Sequence, residues 1–467
     1  MTYEPPMSND EFRRAGHDMI DWIADYWERV EELPVLSQVA PGDLRAALPA
    51  EPPQQSEAWD EIMSDVESLI VPGITHWQSP NFFAYFPANA SPPSVLGELL
   101  SSGLGVQGML WATSPACTEL ETHMLDWMID LCGLPDRFRS TGPGGGTIQD
   151  SASSGALVAM LAARERVAGQ QRWSELVAYS SEHAHSSFVK GCKIIGLQED
   201  QIRLIPGDEN HAMDPVKLRE QMVDDLVEGR RPFFVQATAG TTSSAAFDLV
   251  DSIADVCKDF GAWLHLDGAF AGAAAVAPEF RFVNEGIQRV DSYSMNPHKW
   301  LLTNFDCSLF YIADRAPMLS ALSVLPEYLR NSASDSGAVI DYRDWQIPLG
   351  RRFRALKLWF VIRTHGAEGL AAFVRSHVDM AKDLDAKLHA HPSYEIVAPT
   401  RLSLVSFRHV GGDDDNDRIL NAINSSGEAY LTHTKLNDQL VLRVSIGAVR
   451  TEQRHVDAVF NLLAQLA

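Results

Sequence analysis

The chain has 467 residues, of which 45% are hydrophobic and 21% charged; these are ordinary globular values that exclude an extended disordered protein. Acidic residues outnumber basic ones 62 to 38, for a net charge of -24. A surface that negative repels phosphate backbones and anionic lipid, which argues against nucleic-acid and membrane-surface roles.

Met1 to Pro6 lacks the basic start and apolar core of a signal peptide. Ser8 and Glu11 have capping-box spacing, and Phe12, Ala15, Met19, Ile23, Trp27 and Val30 then follow one helical face up to Pro34. Nothing local covers that stripe, so it is expected on the body of the protein or on a second subunit. Pro49, Pro52 and Pro53 mark a connector. A second helix is predicted from Ser114-Pro115, with Leu120, Met124, Trp127, Met128 and Leu131 on its apolar face and Gly133 and Pro135 as its stop. Short β-rich runs then alternate with helical ones: Leu176–Tyr179, Lys193–Leu197, Phe233–Thr238, Trp263–Leu266 and Ser308–Ile312. Such alternation predicts a largely parallel sheet flanked by helices. A helical run from Arg351 to His365 leads into a smaller α+β region. No run is apolar for long enough to span a bilayer. The five cysteines are scattered, without a CxxC pair, which fits a reducing compartment. A soluble, cytoplasmic protein is expected.

Nine lysines occur, and most have polar neighbours; Lys299 instead lies between Val290–Met295 and Trp300-Leu301-Leu302. Desolvation there would lower the amine's pKa toward the neutral nucleophile that imine formation needs. A lysine snorkelling from a strand end fits the same context. Asp267 ends the apolar run Trp263–Leu266, where open α/β sheets bind ligands, and its carboxylate suits a protonated pyridine nitrogen. A helix cap or a metal ligand are its other readings; the tight pair His183 and His185 has no cysteine or carboxylate cluster with it, so no metal site is expected. Gly142-Pro143-Gly144-Gly145-Gly146-Thr147, then Ser151 to Gly155 and a helical run from Ala156, read as an anion cradle or a plain glycine-rich turn. The segment is neither a P-loop nor GxGxxG. His185, after the strand at Leu176–Tyr179, is either a plate for a planar ring or a hydrogen-bonded loop histidine.

Together these are the parts of a pyridoxal-phosphate site. The chain resembles the group II pyridoxal-phosphate decarboxylases, of the aromatic-L-amino-acid decarboxylase type, from about residue 8 to its C-terminus. The resemblance rests on Ser79-Pro80-Asn81-Phe82-Phe83-Ala84-Tyr85-Phe86-Pro87, Ser114-Pro115-Ala116-Cys117-Thr118-Glu119-Leu120-Glu121, Asn296-Pro297-His298-Lys299-Trp300, Asp341-Tyr342-Arg343-Asp344-Trp345-Gln346 and Leu349-Gly350-Arg351-Arg352-Phe353-Arg354.

It implies a type I aminotransferase-like α/β fold with a mostly parallel seven-stranded sheet. It divides the chain into an N-terminal helical dimerisation segment (1–91), a large cofactor domain (92–356) and a small C-terminal domain (357–467). An obligate homodimer with its active site at the subunit interface is also implied. Lys299 would carry pyridoxal 5'-phosphate as a Schiff base, Asp267 pair with the pyridine nitrogen and His185 stack on the ring. Ala152, Ser153, Asn296 and His298 would contact the phosphate, and Thr242 lie by the ring. Trp77, Tyr85 and Phe86 would wall the substrate pocket, with Met109 reaching across from the other subunit. Tyr328 matches the tyrosine of a loop that closes over the site and protonates Cα. Departures from the family pattern are Asp150, Ser154, Gly268 and Phe270. The implied reaction is decarboxylation of tryptophan, tyrosine, DOPA, phenylalanine or 5-hydroxytryptophan. Alternatives are an aromatic aldehyde synthase, a histidine or glutamate decarboxylase, and a non-catalytic homologue.

Overall fold

The computed structural model describes residues 7–167, 172–324 and 339–467; Tyr328 lies outside the described residues. The N-terminal helix α1 (Asn9–Arg29) starts at the expected capping box. The Glu11 N–H donates to Ser8 Oγ (3.3 Å) and the Ser8 N–H to Glu11 Oε2 (2.7 Å). Its C-terminal half is tied to the rest of the chain. Tyr26 bonds His76 (2.8 Å), Trp27 lies under the Arg450 guanidinium, and Val30 is buried, while Phe12 stays 65% exposed. Helices α2 (Pro92–Leu104) and α3 (Pro115–Cys132) follow. Ser114 caps α3 by accepting from the Cys117 N–H, and Gly133 ends it with φ 64.

The sheet strands are β1 (Gly145–Gln149), β2 (Leu176–Ser181), β3 (Ile202–Ile205), β4 (Arg231–Thr238), β5 (Trp263–Asp267), β6 (Ser292–Met295) and β7 (Ser308–Ile312). Their order is β1-β7-β6-β5-β4-β2-β3. The pairs from β3 to β6 are parallel; β7 runs antiparallel to both β6 and β1. Crossover helices α4 (Ala152–Arg166), α5 (Ser187–Ile194), α6 (Pro215–Val227) and α7 (Val250–Phe260) cover the sheet. Covered strands bury both faces, which explains why β2, β4 and β5 read as largely apolar runs. Because β4, β5 and β6 are parallel, their C-terminal ends open on one edge, and the site lies there.

Lys193–Leu197 is not a strand. Its first two residues end α5, Gly196 turns the chain with φ 91, and Leu197 tucks into the core. A five-residue apolar run carries too little periodicity to separate a helix end from a strand. Strands β1, β3 and β6 were not read from the sequence.

The long helix α8 (Arg354–Ala390) kinks at Gly366 (φ 64), just past His365. It contributes to two apolar cores, one around the large sheet and one built on a four-stranded antiparallel sheet. That sheet comprises β8 (Tyr394–Ile396), β9 (Leu404–His409), β10 (Thr432–Leu436) and β11 (Gln439–Ser445), in the order β10-β11-β9-β8. The β10–β11 turn uses Asn437 and Asp438, both with positive φ, as a two-residue hairpin requires. Helices α9 (Asp413–Ser426) and α10 (Gln453–Leu466) pack on it. Among the described residues no helix is long and apolar enough to cross a membrane.

Candidate active site

A cavity of about 180 Å³ opens at the C-terminal ends of β4, β5 and β6, beside the N-terminus of α4. Lys299 enters it from a single-turn helix (Pro297–Trp300), with Nζ 5.3 Å from the centre of the Phe86 ring. Burial lowers the pKa of its amine, and the nearby Asp267 carboxylate opposes that shift. The result is an amine biased toward the neutral nucleophile. Asp267 is the last residue of β5 and only 7% exposed; one carboxylate oxygen accepts the Ala269 N–H (2.9 Å).

His185 lines the same cavity. Its Nδ1 accepts the Ser187 N–H (3.2 Å), so in the neutral ring the proton sits on Nε2. Burial, then the Lys299 charge, lowers its pKa, with Asp267 opposing. His298 is organised alike: Nδ1 accepts the Cys307 N–H (2.9 Å), leaving Nε2–H as a donor, and burial pushes its pKa to about 3. The Asn296 carbonyl oxygen accepts from Ser308 Oγ (2.6 Å), which leaves its amide to donate. Ser151 caps α4 by accepting the Ser154 N–H (3.2 Å). The first-turn N–H groups at Ala152 and Ser153 have no partner inside the helix. These donors surround one end of the cavity and suit a phosphate without a lysine.

The glycine segment 142–147 is not part of this cradle. Gly145 and Gly146 belong to β1, and a Cβ at Gly145 would meet Trp345 at 2.6 Å. At Gly144 it would meet carbonyl oxygens of Arg137 and Ile312 at 2.2 and 2.4 Å. The small residues serve close packing of the sheet edge. Serines 151 and 153, with Ala152, line the cavity instead.

Thr242 lines the cavity, and of the four pocket-wall residues expected, only Phe86 does. Trp77 and Tyr85 stack on each other (5.7 Å) and stay 37% and 47% exposed; Met109 is held by its carbonyl, which accepts the Arg343 N–H. The wall also includes Phe270, to which sequence reading gave no wall role, and Trp300 and His377 back it. Phe86 stacks on Phe270 (3.9 Å), Phe270 on Trp300 (4.8 Å) and Trp300 on His377 (6.3 Å). Trp300 Nε1 also donates to His377 Nδ1 (2.9 Å). Phe270 was visible as a departure from the family pattern, whereas nothing local marks His377 on α8. At Gly268 a Cβ would come within 2.8 Å of the Tyr293 ring, so glycine there matches its neighbour. Among the described residues no group of three or more His, Cys, Asp or Glu side chains is placed to hold a metal ion.

Residues 41–410 match the model of the pyridoxal-dependent decarboxylase conserved domain. The chain belongs to the pyridoxal-dependent decarboxylase family. It is 45% identical to phenylacetaldehyde synthase of Arabidopsis thaliana, covering 99% of this chain and 97% of the relative. Aromatic-L-amino-acid decarboxylase of Mus musculus is 43% identical, covering 99% and 98%. Among solved structures, Oryza sativa TDC with PLP and tryptamine superposes with a TM-score of 0.96 at 40% identity, covering 100% of this chain and 99% of that one. The decarboxylase's cofactor is pyridoxal phosphate, and the cavity fits it. Donors for a phosphate ring one end, a carboxylate faces a ring-sized space, and a desolvated amine stands beside it.

Proposed function

We propose that this decarboxylase acts on aromatic L-amino acids, releasing carbon dioxide and the arylalkylamine. One observation carries the reading: the desolvated Lys299 amine and the Asp267 carboxylate share a cavity walled by the Phe86–Phe270 stack. An apolar aromatic wall favours an aromatic side chain over the charged one of glutamate. The cofactor, when bound, supplies an electron-accepting pyridine ring that takes up the electron pair left by the departing carboxylate.

In this reading the Lys299 amine would hold the cofactor covalently. Asp267 keeps a proton on the ring nitrogen. His185 and Thr242 line the same cavity, where His185 would stack on the cofactor ring and Thr242 would lie by it. The helix N-terminus at Ala152 and Ser153, with Asn296 and His298, grips the phosphate. Tyr328 delivers a proton to Cα of the product. The reading includes a homodimer, because Leu96, Leu99, Leu100 and Leu104 of α2 and Phe12 of α1 form exposed apolar faces. Trp77, Tyr85 and Met109 lie outside the cavity of their own chain. A partner subunit would bring such residues to the mouth of the site.

A second reading, an aromatic aldehyde synthase, is favoured by the 45% identity to phenylacetaldehyde synthase. Retention of both His185 and Tyr328 favours simple decarboxylation. The deciding experiment supplies tryptophan, tyrosine, DOPA, phenylalanine, 5-hydroxytryptophan, histidine and glutamate to the purified holoenzyme and quantifies products. Amine with stoichiometric carbon dioxide from an aromatic substrate is expected. Aldehyde with ammonia and peroxide would replace this reading with the synthase; amine from glutamate alone would overturn the substrate class.

A further inference from the structure

Beneath Asp267 the central sheet carries an unusual layer. Parallel register pairs Thr238, Asp267 and Ser294 across β4, β5 and β6, and two residues earlier Gln236, His265 and Ser292. Ser180 on β2 extends the second row. Residues paired in register and residues two apart along a strand project from the same face, so all seven share one face. It is the face under α4, because a Cβ at Gly155 would meet Ser294 Oγ at 2.7 Å. Six of these seven side chains are at most 5% exposed, and Asp267 is 7% exposed.

Such a layer in a dry core costs stability unless its polar atoms are paired. Yet Thr238 Oγ1, Gln236 Nε2 and Oε1, His265 Nε2 and Ser294 Oγ have no hydrogen-bond partner among the described residues. The His265 tautomer follows from its neighbours. Trp263 Nε1 only donates, and it donates to Ser292 Oγ (2.8 Å). Among the described residues the acceptor within reach of the single Ser292 hydroxyl proton is His265 Nδ1 (2.9 Å), so Ser292 donates there. The His265 proton therefore sits on Nε2, one of the unpaired atoms. Side chains two apart on a strand stand about 7 Å apart, beyond a direct hydrogen bond and near the reach of a bridging water.

We propose that His265 is a positioning residue whose Nε2–H, bridged by ordered water within this layer, holds the Asp267 carboxylate aimed at the cofactor ring. A carboxylate held in line with the ring nitrogen is what would keep that nitrogen protonated. Burial lowers the His265 pKa to about 4, so the imidazole stays a neutral donor. Gln236, its register neighbour, supplies the next donor and acceptor in the row. The proposal rests on the reading above that Asp267 faces the ring nitrogen.

The test uses His265→Phe, which keeps a flat ring between Phe234 and Phe310, and His265→Gln, which keeps an N–H. Readouts are the pyridoxal-phosphate dissociation constant, the absorbance spectrum of the bound cofactor and the thermal midpoint. His265→Phe is expected to weaken cofactor binding about tenfold or more and to shift the bound spectrum toward the unprotonated ring. His265→Gln should stay within about threefold of the parent. If His265→Phe does not fold, Gln236→Leu carries the test, with a loss of about threefold or more in the same direction. Parent affinity and spectrum in the folded loss variant would overturn the proposal, as would a lowered thermal midpoint with an unchanged spectrum. Asp267→Asn separates the two levels. Weakened binding there with an unaffected His265→Phe refutes only the network, whereas an unaffected Asp267→Asn refutes the reading of Asp267 itself.

Discussion

Lys299 draws its chemistry from burial more than from any single contact. Its amine sits against the Phe86 ring with one carboxylate nearby, so the neutral form is accessible where a solvated lysine would stay charged. Lys299→Ala should abolish multiple turnover and remove the yellow, borohydride-bleachable colour of the holoenzyme; steady turnover by that variant would reassign the cofactor lysine. Tyr328→Phe should divert product from amine toward aldehyde, measured as the ratio of the two from one substrate. Unchanged amine production would remove Tyr328 as the proton donor. His185 and His298 share a further device. In each, a backbone N–H occupies Nδ1 and leaves Nε2–H as the available proton.

Between elements, the site's frame depends on buried polar ties as well as apolar packing. Arg351 reaches Glu121 of α3 at 2.7 Å, and both side chains are 1% exposed. The same guanidinium bonds Thr147 and the Ile148 carbonyl of β1, and Glu121 accepts the Ile148 N–H (2.8 Å). This joins α3 and the sheet edge to the chain entering α8. Arg351→Met should destabilise the fold by about 3–5 kcal/mol, because it leaves an unpaired carboxylate in the core. Urea unfolding checks this, and a loss well under about 1 kcal/mol would mean that the pair contributes little. The aromatic column from Phe86 to His377 similarly ties the cavity wall to α8.

Across the whole molecule, three buried histidines set a pH limit. Burial lowers the pKa of His265 to about 4 and of His298 and His377 to about 3. Unfolded, each would titrate near about 6.5. Their contribution is therefore complete above that pH and is lost as pH falls toward the depressed values, because the unfolded chain then binds protons the folded one refuses. Each histidine accounts for about 1.4 kcal/mol per pH unit in that window. Urea midpoints of the cofactor-free protein should drop clearly between about pH 7 and about pH 5; a flat profile would contradict three histidines kept neutral by burial. Oligomeric state is the other property at this scale. Leu99→Glu with Leu100→Glu should yield a monomer by sedimentation and lower cofactor affinity and turnover together. A monomeric parent with full activity would refute the dimer.

Much of the site was legible in the sequence because its groups are marked by immediate neighbours. Lys299 stands among apolar residues, Asp267 ends an apolar strand, and Ser8 and Ser114 announce helix starts. Local chemistry of this kind depends on spacing along the chain, which a sequence states directly. What only the tertiary structure decided are relations between segments far apart. The glycine run at 142–147 became a sheet edge because β7 and Trp345 approach it closely, and Lys193–Leu197 became a helix end. Trp77, Tyr85 and Met109, expected at the substrate pocket, lie outside this chain's cavity. His377, 77 residues from Trp300, and the polar layer beneath Asp267 exist only through packing and strand register. No local pattern encodes which strands become neighbours, so residues that meet by register remain invisible until the sheet is assembled.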